Sequence, residues 1–354
     1  MNRLHVIIPA GGVGSRLWPL SRKDRPKFLL DLRMSGKSLL QETIDRLAPI
    51  AASFTIVTGR AHEQAVRAQI PQGLDVTVLV EPQGRDSMPA IGLAAYVIRQ
   101  RFGDEAPIAS FAADHAITHP QVLLECVERA LEVAQKGYVV TIGLKPLTPS
   151  TAYGYIAPGE TFEKESAEKG SIVRSFVEKP DEETAKRYCE QGYLWNAGMF
   201  IMTAGTLARA LRRFHPDMDT HLSAIGSQWG SDSFAKTLSE EWPELTKIAI
   251  DHAIAEPLAC EGGVAVVPAT DMGWTDVGDF DALAQISSEG QALRIDSSGS
   301  FVRSLTGQKI VVVGAPNMAV IATEDAILVV DRNRAQDVKH VVDQLTQSGE
   351  EELL

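Results

Sequence analysis

The first half of the chain alternates short apolar runs with longer stretches in which apolar residues recur at helical spacing. Leu4–Ile8, Phe54–Val57, Asp75–Val80, Ile108–Ala112 and Tyr138–Gly143 read as strands. The segments near Ser38–Leu47, His62–Ile70, Pro89–Arg101 and Pro120–Gln135 read as the helices between them. Strands that lack polar alternation are buried on both faces. The order therefore predicts a Rossmann-like α/β fold, a mostly parallel sheet flanked by helices. In such sheets ligands bind beyond the carboxyl ends of the strands.

The middle of the chain is less regular. Tyr153–Ala157, Ser171–Val177 and Ala197–Met202 look like strands, and Asp181–Gln191, Ala204–Phe214 and Pro243–Ala255 look helical. With no linker in this region, it reads as an elaboration of the same sheet. After about Gln285 the pattern changes to short β-rich runs, Phe301–Leu305, Ile310–Val313, Ala319–Ala322 and Ile327–Val330, with turn residues such as Thr306-Gly307 and Pro316-Asn317 between them. A helix near Ala335–Leu345 follows, and the acidic Glu350–Leu354 tail is expected to fray. This predicts a small second domain, with Glu289-Gly290 as the boundary, dividing the chain into residues 1–288 and 289–354.

Composition narrows the function classes. With 44% hydrophobic and 23% charged residues among 354, the chain lies in the ordinary globular range. The 34 basic and 46 acidic residues give a net charge of −12 without a long basic cluster, which argues against a general nucleic-acid binder. Cys126, Cys189 and Cys260 are far apart and lack C-x-x-C spacing, so neither a disulfide framework nor a zinc site is indicated, and a reducing cytoplasm fits. The apolar run Val6–Ile8 reaches Pro9 too soon for a signal-peptide core, and no later stretch approaches a membrane span. A soluble cytoplasmic protein is the expectation.

Against that acidic background one cationic segment stands out. The chain reads Ala10-Gly11-Gly12-Val13-Gly14-Ser15-Arg16-Leu17 directly after the first strand and continues to Pro26-Lys27. Its glycines let backbone N–H groups approach an anion, and Ser15, Arg16 and Lys27 supply further donors, as a nucleotide triphosphate requires. A Walker loop is excluded because no Gly-Lys-Ser or Gly-Lys-Thr follows in register. The dinucleotide fingerprint fails because Leu17 stands where its last glycine belongs. An ordinary strand-to-helix turn would also use glycines, but would not need Arg16 and Lys27.

Other candidates lie further along. Asp114, just past an apolar strand, suits Mg²⁺, a hard cation that bridges phosphates, or else caps the segment that follows. Asp276, bracketed by Gly273 and Gly278, is either a second metal carboxylate or an Asx-turn residue. Glu178-Lys179 before Pro180 offers an acceptor for sugar hydroxyls and a cation for a phosphate, or is a solvated charge pair. Asn196 adds an amide, whereas Trp195 fits a core position and His115 a structural one. No Gly-x-Ser-x-Gly, H-E-x-x-H or cysteine–histidine signature occurs, so nothing points to nucleophilic or zinc catalysis. Transfer to an already ionised phosphate needs only alignment and charge neutralisation.

Together these segments resemble the sugar-1-phosphate nucleotidylyltransferases, most closely their mannose-1-phosphate guanylyltransferase branch, from Leu4 to about Val342. The most specific piece is Gly11 to Arg22 with Pro26-Lys27. Phe176–Pro180, Trp195–Phe200, Gly273–Gly278 and Asp325–Asp331 also look like family segments, and Glu81–Ile91 resembles the segment beside the base and ribose in the mannose branch. The resemblance implies that Gly11, Gly12, Gly14, Ser15 and Arg16 cradle GTP, that Lys27 stabilises the reacting phosphates, and that Arg85, Asp86 and Ser87 lie beside the nucleotide. It implies Mg²⁺ on Asp114 and Asp276, with Arg16, Lys27 and Asp114 carrying the catalysis. Gly154, Glu178, Asn196 and Gly198 would face the sugar, and Lys179 its phosphate.

The same resemblance implies a C-terminal left-handed β-helix and a homodimer. It also implies transfer of GMP from GTP to α-D-mannose 1-phosphate, giving GDP-mannose and pyrophosphate. One departure is Asp86-Ser87-Met88, where the family often has Asn-Thr-Ala. The chain stops short of members that append a phosphomannose isomerase, so only the transferase activity is expected. The rival readings are the same chemistry on another pair, such as glucose 1-phosphate with UTP or dTTP, a nicotinamide-dependent oxidoreductase, and a non-catalytic nucleotide-sugar sensor.

Overall fold

The apolar runs form strands whose successive residues enter two different cores. In the computed structural model, which describes residues 4–162, 169–287 and 292–354, Val6 and Ile8 face one helical layer and Ile7 the other. The expected boundary at Glu289-Gly290 lies outside the described residues.

In chain order the first elements are β1 (Leu4–Ala10), α1 (Leu39–Leu47), β2 (Ala51–Gly59), α2 (Glu63–Ala68), β3 (Val76–Glu81), α3 (Ser87–Phe102), β4 (Pro107–Ser110), β5 (Ala116–Ile117), α4 (Pro120–Ala134) and β6 (Val139–Leu144). These reproduce the predicted alternation to within a few residues at each end. The elaboration contains β7 (Tyr155–Thr161), β8 (Ser171–Val177), α5 (Glu182–Glu190), β9 (Leu194–Thr203), α6 (Ala204–Phe214), α7 (Pro216–Ser227), α8 (Phe234–Glu241), α9 (Glu256–Ala259), β10 (Val264–Ala269), β11 (Trp274–Thr275) and α10 (Phe280–Ile286).

The main sheet runs β3-β2-β1-β4-β9-β6-β10-β8-β7, and every strand but β8 and β9 points the same way. The sheet is therefore mostly parallel, as expected. β7 also pairs with the start of β9, Tyr155 opposite Trp195, so the last five strands close on themselves. That closure brings the open end of the β7–β8 pair, where Tyr155 faces Val177, beside Trp195 near the start of β9. Helices α3, α6 and α7 cover one face, and α1 and α4 the other.

Two sequence expectations are corrected here. The helix over Pro243–Ala255 is broken into a 3-10 turn at Trp242–Glu244 and a π turn at Asp251–Ala255. The intervening backbone bonds to the first turn of α3: Met88 N–H donates to Ile248 O (3.1 Å) and Ile250 N–H to Ser87 Oγ (3.0 Å). The tail is not frayed. Lys23 N–H donates to Leu354 O (2.6 Å), Trp18 Nε1–H to Leu353 O (2.7 Å), and Arg22 bonds the same Leu353 carbonyl.

The C-terminal unit holds β12 (Leu293–Ile295), β13 (Phe301–Ser304), β14 (Val311–Val313), β15 (Met318–Ala322), β16 (Ile327–Asp331) and α11 (Val338–Ser348). β12 pairs in parallel with β14 and β13 with β15, the wound pattern of a β-helix-like coil, while β16 returns antiparallel to β15. Leu17, Trp18 and Leu20 share a buried cluster with Phe280, Phe301, Ile321 and Val338, so this unit packs directly against the glycine-rich loop.

Candidate active site

The loop after β1 is built around one lysine. Lys27 is 8% exposed, and its N–H donates to Val13 O at 3.0 Å. Gly14 has φ 76°, and a Cβ there would stand 2.7 Å from Lys27 Cβ, so only glycine lets the two segments meet. Ser21 Oγ donates to the Gly14 carbonyl at 2.7 Å and fixes the turn from the other side. Gly11 and Gly12 open onto the adjoining cleft. Ser15 begins a short 3-10 turn, and Arg16 stands exposed with no hydrogen bond or ion pair to any described residue.

Lys27 Nζ lies 2.7 Å from Asp114 Oδ2 and 2.6 Å from the Asp276 carbonyl oxygen. The juxtaposition of these two aspartates follows from a two-residue antiparallel ladder, Ala116 opposite Thr275 and Ile117 opposite Trp274. Burial opposes the charge on Asp114, yet the Lys27 ammonium and His115 together hold its carboxyl below the usual value. Burial lowers the His115 pKa, and His115 Nδ1 accepts from Trp274 Nε1 at 3.2 Å, which makes it a structural contact. Asp276 Oδ1 accepts from Gly278 N–H (3.2 Å), an Asx turn, and from the Tyr153 hydroxyl (3.1 Å). Both sequence readings of Asp276 are thus compatible with its geometry.

No cluster of three or more His, Cys, Asp or Glu side chains suited to a metal occurs among the described residues. Lys27 meets the Asp114 carboxylate but only the main-chain carbonyl of Asp276; the Asp114 carboxylate with the Asp276 segment beside it is nevertheless a donor set for Mg²⁺, which takes one or two carboxylates and completes its shell with water and phosphate oxygens. The residues present fit that ion.

On the β7–β8 side, Glu178 and Lys179 are ion-paired, with Glu178 largely buried and the Lys179 side chain 62% exposed. A Cβ at Gly154 would run into Glu178 Oε2, so this glycine makes room for that carboxylate. Asn196 is more heavily engaged than expected. Its Oδ1 accepts from Thr141 Oγ1 (2.7 Å) and Gly198 N–H (3.1 Å), while its Nδ2 donates to Asp251 Oδ1 (2.8 Å). Asp251, which sequence reasoning missed, lines the cleft beside Gly198. Burial and the nearby Glu178 charge push its pKa up to about 6. It opens the π turn, a local distortion common at functional positions.

The cleft holds about 480 Å³ and runs from Gly11 and Gly12, past Asp114 and Asp251, to Ser87 and Glu81. Asp86 (φ 69°) caps α3 by accepting from Ser87 N–H at 2.7 Å, and both residues line the cleft. Arg85 does not join them: its guanidinium is turned to the Leu245 carbonyl. Glu81, the first residue of the Glu81–Ile91 segment, was given no role of its own. It ends β3 at 8% exposure, lines the cleft, and makes no hydrogen bond or ion pair with a described residue. Burial alone pushes its carboxyl up to about 7.

Comparison with known proteins places the chain in a family. Residues 5–292 match the nucleotidyl transferase family, and residues 290–345 match a mannose-phosphate isomerase/GMP-like β-helix domain. The chain is 35% identical to the mannose-1-phosphate guanylyltransferase of Escherichia coli K12, over 99% of this chain and 75% of that protein. It is equally 35% identical to the xanthan biosynthesis protein XanB of Xanthomonas campestris pv. campestris B100, with the same coverage. A Thermus thermophilus crystal structure described as a mannose-1-phosphate geranyltransferase superposes with a TM-score of 0.83 at 32% identity, covering 98% of this chain and all of that one. The chain belongs to the nucleotidyl transferase family, in the branch of the mannose-1-phosphate guanylyltransferases.

Proposed function

We infer that the protein transfers the guanylyl group of GTP to α-D-mannose 1-phosphate, yielding GDP-mannose and pyrophosphate. The observation that carries this reading is Lys27, buried at the junction of the glycine loop, Asp114 and the Asp276 segment. A fixed ammonium at that junction stands where a triphosphate held by the loop would meet an incoming phosphate. A phosphate oxygen of mannose 1-phosphate attacks the α-phosphorus of GTP, and the bond from that phosphorus to the pyrophosphate oxygen breaks. The nucleophile is already ionised, so no general base is required. The protein's work is alignment and charge neutralisation.

In this reading the backbone N–H groups of Gly11, Gly12 and Gly14 and the Ser15 hydroxyl hold the triphosphate. Arg16, exposed and without a partner among the described residues, folds over the departing pyrophosphate. Lys27 neutralises charge around the α-phosphate. Mg²⁺, held by Asp114 and Asp276, would supply electrostatic stabilisation of the phosphate oxygens when bound. Lys179 exchanges its Glu178 partner for the sugar phosphate, freeing Glu178 to accept sugar hydroxyls beside Gly154 and Gly198. Asp86 and Ser87 flank the nucleoside, and Arg85 supports them from behind through Leu245. Residues 1–288 form the catalytic unit and 289–354 a β-helix-like brace. Among the described residues no helix is long and apolar enough to cross a membrane.

Purified protein given GTP, mannose 1-phosphate and Mg²⁺ is expected to release pyrophosphate and accumulate GDP-mannose. Absence of both products, or greater turnover with glucose 1-phosphate and UTP or dTTP, refutes the reading. At the level of residues, Asp114→Asn should lower turnover on the order of 100-fold while leaving the fold intact.

A further inference from the structure

Tyr153 touches one of the two candidate metal carboxylates, yet the chemistry above gives it no role. Two residues before β7 and next to Gly154, it donates its hydroxyl to Asp276 Oδ1 at 3.1 Å. Gly278 N–H donates to the same oxygen at 3.2 Å. Asp276 Oδ2, by contrast, makes no hydrogen bond or ion pair with a described residue. One oxygen of this carboxylate is therefore committed to the protein and the other is left over. Room is kept around that second oxygen as well, because a Cβ at Gly278 would stand 3.0 Å from it.

The tyrosine itself is held by its ring. It meets Trp195 at 4.9 Å and Trp274 at 5.2 Å between centroids, with interplanar angles of 60° and 68°, the edge-to-face arrangement that aromatic rings favour. Trp274 stands two residues before Asp276 and Trp195 directly before Asn196, so one phenol joins the segments assigned to the metal and to the sugar. On the other side of Asp276, Val277 is fully buried at φ 49°, a left-handed conformation costly for a β-branched residue. Strain of that kind persists only where the surroundings over-determine it, and here Lys27 Nζ also grips the Asp276 carbonyl. Burial lowers the His115 pKa while the charges of Asp114 and Asp276 both oppose it, so the two carboxylates lie within Coulombic reach of one ring.

We propose that Tyr153 is a positioning residue for the divalent cation: with Gly278 N–H it locks Asp276 Oδ1 to the protein and thereby presents Oδ2 to the metal. The proposal rests on the Mg²⁺ reading of Asp114 and Asp276 and says how the second carboxylate is aimed. A carboxylate free to rotate about its Cβ–Cγ bond offers either oxygen and must be ordered when the cation arrives. Two donors on one oxygen remove that freedom beforehand, and outer contacts of this kind carry a sizeable share of metal affinity.

The test measures Mn²⁺ binding by the electron paramagnetic resonance signal of the free ion, with GDP-mannose at saturation so that its diphosphate can complete the metal shell. Wild type, Tyr153→Phe, Gly278→Ala, Asp276→Ala and the variant combining Tyr153→Phe with Asp276→Ala are compared. Tyr153→Phe keeps the ring between the tryptophans and deletes only the donor, and should weaken Mn²⁺ binding roughly 10-fold. A ring that acted by packing alone would leave that affinity unchanged. Gly278→Ala keeps the tyrosine and crowds Oδ2, and should weaken binding to a similar extent, on the order of 10-fold. In the Asp276→Ala background, Tyr153→Phe should cause no further loss. The Mg²⁺ concentration for half-maximal pyrophosphate release should rise by the same factor as the Mn²⁺ dissociation constant.

Wild-type Mn²⁺ affinity, within about twofold, in either Tyr153→Phe or Gly278→Ala overturns the proposal. So does a further loss from Tyr153→Phe once Asp276 is alanine. If Asp276→Ala itself binds Mn²⁺ like the wild type, or the wild type binds none, the metal reading fails and takes the proposal with it. Binding that is lost in Asp276→Ala but kept in Tyr153→Phe refutes the role of the tyrosine alone.

Discussion

Gly14→Ala isolates the contact on which the proposed chemistry depends. The new methyl would sit 2.7 Å from Lys27 Cβ, whereas ordinary contact begins at 3.4 Å. The obstructing atom adjoins the lysine backbone, which is itself tied to Val13 O, so a rotamer change cannot relieve the clash. Lys27 must retreat by roughly 1 Å, and misplacement on that scale costs on the order of 100-fold in rate. Alanine at φ 76° adds about 1–2 kcal/mol of backbone strain, and overpacking adds about 1–3 kcal/mol. A stability loss of about 2–5 kcal/mol should therefore accompany the loss of rate. The assay is pyrophosphate release by Gly14→Ala, Lys27→Met and the double variant, with denaturant unfolding in parallel. If glycine acts through the lysine, the double variant is scarcely slower than Lys27→Met. Gly14→Ala turning over within threefold of the wild type, or fully additive effects, refutes the argument.

Three further outcomes follow from the structure. Asp251→Ala removes the acceptor that orients Asn196 Nδ2, and should raise KM for mannose 1-phosphate about 10-fold while leaving GTP binding unchanged in calorimetry. Glu81→Gln should stabilise the apoprotein in a pH-dependent way. Folding raises this carboxyl from 4.5 to about 7, so the wild type loses stability as pH climbs through that window and loses no more above it. The variant's advantage, measured by urea unfolding, should be absent near pH 4 and grow to at most about 3 kcal/mol above pH 7, reduced by solvent screening. Trp18→Phe deletes the bond to the Leu353 carbonyl, and should cost about 1 kcal/mol in unfolding experiments and make the C-terminal segment more sensitive to protease.

The parallel core and the glycine loop were legible because each is written in contiguous residues. Apolar runs of strand length and a loop with its own cations need no partner to be recognised. What escaped was set by distant pairing. β10 was overlooked although Val264–Ala269 is apolar, and its place beside β6 depends on a residue-by-residue match with Val139–Leu144 that no local pattern encodes. Asp114 and Asp276 were named separately, but a two-residue ladder is too short to leave a periodic trace. The stretch around Lys247 reads as helix because its composition permits one, and its hydrogen bonds to residues 87 and 88 take the backbone elsewhere. The acidic tail looked solvated by its side chains, whereas its main-chain carbonyls do the docking.

Strand order also predicts that specificity for the two substrates is separable. Along the carboxyl edge the sequence β3, β2, β1, β4, β9 sets out Glu81, the glycine loop, Asp114 and Asn196 in that order. Four strand spacings amount to about 19 Å, a length comparable with an extended nucleotide sugar. Base, triphosphate, reacting phosphate and sugar would then meet successive strands, with the bond-making centre in the middle. Groups at the two ends share no partner in the structure: Asp251 is tied to Asn196, and Glu81 to nothing described. Their effects on binding should therefore add, as they do for distant sites without common contacts.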